Sequence, residues 1–105
     1  MKANDILVRT GGYECTRVTF FKIIKVVNGF VTLRALKQEQ VSFVACAGTF
    51  GSGEVIPTDT FDTDTTIRKK IKYAKSDNHP YIHFNDYEFG YLWDNTPAKF
   101  DFTNI

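Results

Sequence analysis

The dipeptide Asn28-Gly29 lies between two runs rich in β-branched and aromatic residues, Val18 to Val27 and Phe30 to Leu36. A type I′ turn needs positive φ at both central residues, which Asn and Gly adopt at least cost, so the pattern predicts a tight hairpin. A two-residue turn also sets register: Val27 should face Phe30, Val26 Val31, Ile24 Leu33, and Lys22 Ala35. Alternation then puts Ile24, Val26, Val31, Leu33 and Ala35 on one apolar face, with Val18 and Phe20 further along it. The opposite face carries Lys25, Thr32 and Arg34 beside Phe21, Ile23, Val27, Phe30 and Leu36, and reads as half covered.

A chain of 105 residues has material for one core, and its ten Phe and five Tyr against one Met bias that core toward strands. Asp5 to Thr10 reads as a first strand stopped by Gly11-Gly12. Past the hairpin, Lys37 to Gln40 reads as a turn and Val41 to Ala47 as a strand. The glycine-rich stretch Gly48 to Gly53 reads as a mobile loop, Glu54 to Pro57 as a brief strand, and Thr58 to Thr65 as an acid- and threonine-rich loop. Alternation returns with Ile67, Lys69, Ile71 and Tyr73 opposed to Arg68, Lys70, Lys72 and Ala74, which favours strand over helix. Tyr81 to Phe84 and Phe89 to Trp93 complete the count. The expectation is a mainly β fold, a small bent antiparallel barrel or sheet of SH3-like kind with room for one short helix. It occupies a single domain over 1–97, followed by a C-terminal tail over 98–105.

Net charge is +1, which excludes an acidic mimic of DNA and gives no global support to a basic nucleic-acid binder. Without a secretory leader pattern or about 18 consecutive apolar residues, a soluble cytoplasmic protein with reduced Cys15 and Cys46 and no membrane contact is expected. Cys15, Cys46, His79 and His83 make up a ligand count for zinc, but strand spacing would hold the two histidines about 13 Å apart. Asp59, Asp62 and Asp64 lack the glycine and terminal glutamate of a calcium loop and could instead neutralise Lys69 and Lys70. No nucleophile has an activating neighbour in sequence, so no catalytic residue, metal or cofactor is expected, and the protein is read as a non-enzyme.

The best candidate surface is basic. On a strand, Arg68, Lys70 and Lys72 project from one face about 6.6–6.8 Å apart, close to the phosphate repeat of an extended nucleic-acid strand. Tyr73 or Tyr81 could offer a stacking surface beside them, and Tyr13, next to two glycines, a further exposed ring. The bland alternative is a solvated face, or an edge blunted by lysine. Tyr87, Phe89, Tyr91 and Trp93 alternate as a ribbon that would be core on one face or a recognition surface, with Trp93 read as core.

Gly12-Tyr13-Glu14-Cys15-Thr16-Arg17-Val18-Thr19-Phe20 resembles the Gly-Tyr-x-x-Thr-x-Val-x-Phe opening of a family of small hypothetical proteins of phages, plasmids and other mobile elements. Tyr91-Leu92-Trp93-Asp94 with Pro97 is similar to the aromatic ending of the same proteins, and Arg68-Lys69-Lys70 to the basic residues between. The family has no assigned activity. What the resemblance implies is genetic context: a binding protein of a mobile element, cytoplasmic in its host, that inhibits a host protein such as a defence nuclease or nucleoprotein complex, in the manner of anti-CRISPR or anti-restriction proteins. The alternative is a nucleic-acid-binding barrel using Arg68, Lys70 and Lys72.

Overall fold

Asn28 and Gly29 turn the chain with φ of 52° and 79°. The hairpin of β2 (Arg17–Val27) and β3 (Phe30–Cys46) opens in the expected register, with Val27 opposite Phe30 and Val26 opposite Val31. A bulge then intervenes at Ile24, so that Ile23 rather than Ile24 pairs with Leu33, and Lys22 meets Arg34 rather than Ala35. On its other side Ile23 is held by the N-terminal turn: Asn4 N–H donates to its carbonyl (2.8 Å), and its own N–H donates to the Asp5 carbonyl (2.9 Å). The extra residue reverses the faces beyond it. Ile23 is fully buried while Ile24 is 40% exposed, the opposite of the turn-based expectation.

The computed structural model describes residues 1–12, 15–46 and 50–103, without the side chains of 44–46, 50, 102 and 103. The remaining strands are β1 (Ile6–Gly11), β4 (Phe50–Lys70), β5 (Lys72–Tyr73), β6 (Pro80–Asn85), β7 (Glu88–Leu92) and β8 (Ala98–Thr103). All pair antiparallel in the order β5-β6-β7-β1-β2-β3-β4-β8, and no helix occurs among the described residues. The fold is mainly β, as expected. Its end strands β5 and β8 are not paired with each other, so the ladders describe an open order.

Several segments read as turns or loops are strand. Lys37 to Gln40 continues β3, Phe50 to Gly53 begins β4, and Thr58 to Thr65 lies inside it; Gly48 falls outside the described residues. The acid-rich stretch is a wide bulge: between the pairs Arg34–Thr66 and Leu36–Phe61, β3 advances two residues and β4 five. Such irregularities bend the long pair. A straight strand of 21 residues would span about 70 Å, whereas the longest dimension of the molecule is 48 Å. The segment expected as a tail is β8 as far as Thr103, with Ala98 opposite Val55 and Phe100 opposite Gly53. Its apolar alternation at Ala98 and Phe100 finds a partner because bent β4 offers an edge beside β2.

Adjacent residues Phe20 and Phe21 are both buried, at 0% and 6% exposure, although strand neighbours point to opposite faces. Both faces of β2 are therefore covered. On one side Leu7, Phe21, Ile23, Val31, Leu33, Ile71 and Ile82 pack together. On the other, Val18, Phe20, Leu36 and Val55 pack with Phe61, Trp93 and Phe100. Trp93 meets Phe20 edge-on, with centroids 5.8 Å apart. Gly90 sits where β7 crosses the first cluster; a Cβ there would lie 2.6 Å from Leu7 Cδ2 and 2.8 Å from Phe84 Cε2.

Candidate functional site

The last turn of alternation in β4 decides where its charges go. Arg68 and Lys70 are exposed while Ile67 and Lys69 are half buried, and beyond them Ile71 is buried and Lys72 exposed. The isoleucines drive this sorting, since each gains by facing the first cluster while its basic neighbours keep their hydration. The Ile71 N–H donates to the Gly29 carbonyl (2.8 Å) at the hairpin tip, and the chain then leaves β3 and pairs with β6. Arg68, Lys70 and Lys72 thus stand in a row that crosses from one ladder to the next, as the alternation predicted.

Register adds a cation that sequence reading did not include. Arg68 is opposite Thr32 and Thr32 opposite Lys25, so Lys25 shares the face. The Arg68 guanidinium rests 4.1 Å from the Phe30 ring centroid, which fixes the start of the row. Asp64 does not neutralise Lys69 or Lys70 as expected; it pairs with Arg34 at 2.8 Å, whose guanidinium also donates to the Thr63 carbonyl and lies over Phe61. Among the described residues, the ion pairs engage Arg9, Arg34 and His79, leaving Lys25, Arg68, Lys70 and Lys72 without an acidic partner. Lys69 turns inward, its Nζ 5.9 Å from the Phe84 ring centroid, with Arg9 4.5 Å from the same ring.

Lys72 lies directly opposite Tyr81 in the β5–β6 ladder, and opposite residues share a face. Ile82 is buried inward beside Tyr81, which leaves Tyr81 and His83 on the outer surface of β6. There the rings form a chain across β6 and β7: Tyr81 to Tyr91 at 6.4 Å, Tyr81 to Phe89 at 6.2 Å, His83 to Phe89 at 5.3 Å and His79 to Tyr91 at 5.7 Å between centroids. Sequence alternation showed that Phe89 and Tyr91 share a side but could not say whether that side was covered. Tyr91 is 38% exposed, His79 is exposed, and the other three rings are half exposed. The fifth expected residue, Tyr13, lies outside the described residues.

Three carboxylates near this end of the sheet are held below their ordinary range. His79 hydrogen bonds to Asp77 in the turn before β6 lower that acid, so an anion flanks the ring chain. Glu88 is lowered by paired hydrogen bonds from Arg9 (2.9 and 3.2 Å) and one from Asn85, and Asp94 by those from Thr96. A cleft of about 300 Å³ opens beyond Tyr91, walled by Val8, Trp93 and Lys99. Chemically, the surface can neutralise a string of anions along β4–β5 and hold flat rings on β6–β7. Comparison of the chain with protein-family models, curated proteins and solved structures finds no match.

Proposed function

We propose that this protein is a non-enzymatic binding module that grips a nucleic-acid backbone along Arg68, Lys70 and Lys72. The observation that carries the reading is their placement: alternate residues, all exposed, without an acidic partner among the described residues, and ending opposite a half-exposed aromatic ring. The row follows an open strand edge: Arg68 and Lys70 lie where β4 pairs with β3 on one side and, among the described residues, with no strand on the other, and Lys72 lies on the end strand β5. Lysines that only blunt such an edge would give no saturable oligonucleotide binding. Lys25 widens the positive surface. The modest net charge of +1 means that attraction is local, so affinity should depend sharply on these few side chains.

The test is a fluorescence anisotropy titration of a labelled oligonucleotide of about 12 nucleotides, within the site size of small ssDNA-binding folds. Saturable binding that weakens steeply with added salt supports the reading, and absence of binding at low salt contradicts it.

A second reading, a mobile-element protein that inhibits a host protein, draws on the sequence resemblance and on Val41 and Phe43. These apolar side chains are 47% and 46% exposed on the part of β3 beyond its pairing with β2. Under this reading a complex with the host protein survives salt and depends on those two residues rather than on the cationic row.

A further inference from the structure

We infer that the aromatic face of β6 and β7 is a stacking surface for unpaired bases, which makes the site selective for single-stranded over duplex nucleic acid. This rests on the proposed backbone grip and names its ligand class. The register leaves no gap between the two halves: Lys72, last of the row, is opposite Tyr81, and Tyr81 is 6.4 Å from Tyr91 between centroids. Tyr91 in turn walls a cleft lined by both Lys99 and the Asp94 carboxylate, so the cationic grip lies at the Lys72 end of the pair of rings. A strand whose phosphates follow Lys70 and Lys72 therefore carries its bases over Tyr81 and Tyr91. The Tyr81 and Tyr91 planes are tilted by 32°, so they present neighbouring, differently inclined faces rather than one self-stacked pair. Every unpaired base has a π-face to offer such rings, whereas a duplex has already stacked its bases on each other and shows the protein only backbone and groove edges.

A cluster that served only to cover the sheet would make no distinction between strands. The expected result is that the 105-residue chain binds a mixed-sequence single-stranded oligonucleotide at least tenfold more tightly than the same sequence as a duplex. An abasic oligonucleotide, which keeps the phosphates, should bind about as weakly as the duplex. Tyr81→Ala and Tyr91→Ala should each weaken single-strand binding about 5- to 150-fold, the equivalent of one lost stacked base, with duplex binding unchanged and Tyr81→Phe close to wild type. Quenching of 2-aminopurine placed in the oligonucleotide reports stacking on the unaltered protein, independent of whether a variant folds. Equal affinity for single strand, duplex and abasic strand overturns the stacking surface and leaves the backbone grip standing. Loss of binding to every one of them overturns the backbone grip itself.

Discussion

Lys72 and Tyr81 face each other across a ladder of only two residue pairs, Lys72–Tyr81 and Tyr73–Pro80. So short a ladder cannot hold itself, and its position is fixed by the residue just before it. Ile71 is 8% exposed within the first cluster and bonded to Gly29. Ile71→Ala is expected to cost about 2–5 kcal/mol, the range for truncating a buried isoleucine, as a lowered midpoint in urea denaturation. A loss under about 0.5 kcal/mol, the level of an ordinary surface change, would mean that Ile71 does not anchor the junction.

The bulge in β2 makes a sharp distinction between neighbours. Ile23→Ala should cost about 2–5 kcal/mol because its side chain is fully buried. Ile24→Ala, at 40% exposure, should cost under about 1 kcal/mol. Denaturation curves of the two variants check this directly, and the reverse ranking would restore the unbulged register.

Much of this architecture was legible wherever one local demand dominated. Asn28 and Gly29 specify their turn through backbone sterics alone, and the Arg68 to Lys72 alternation survived because its isoleucines leave one choice of face. The bulge was illegible because Ile23 bonds to Asn4 and Asp5, a contact distant in sequence. The long reach of β3 and β4 was hidden for a different reason. Lys37 to Gln40 are polar and exposed, so no apolar alternation marks this stretch, and it is strand by its backbone ladder to β4. The ring chain needed knowledge of which face of β6 and β7 stays uncovered, a property of the whole sheet.

Gly90 permits Leu7 and Phe84 to approach across β7. A methyl group at this position would sit 2.6 Å from one and 2.8 Å from the other, inside normal contact. Gly90→Ala should therefore destabilise by about 1–3 kcal/mol, the cost of overpacking a filled core. A thermal melt unchanged from wild type would show that the neighbours yield freely.

Acid should weaken the Arg9–Glu88 pair. The Arg9 hydrogen bonds hold the folded carboxyl below its ordinary value of 4.5, so in acid the unfolded chain binds the proton more readily than the folded one. The pair's contribution is complete above that value and is lost as pH falls through the lowered one. Asp77 and Asp94, lowered by His79 and Thr96, act in the same direction. Glu88→Gln should be less stable than wild type near neutral pH by about 1 kcal/mol, and the gap should narrow as pH falls below the ordinary carboxyl value of 4.5. A gap that stays constant from neutral pH into acid contradicts the assignment.

The most direct test of the binding surface is the salt dependence of single-strand affinity in wild type and in the triple variant Arg68→Ala, Lys70→Ala, Lys72→Ala. Each backbone contact on a single strand contributes about 0.7 to the slope of log affinity against log salt. The triple variant should bind more weakly at low salt, with a slope shallower by about 2. An unchanged slope and affinity would contradict the claim that these three side chains hold the backbone.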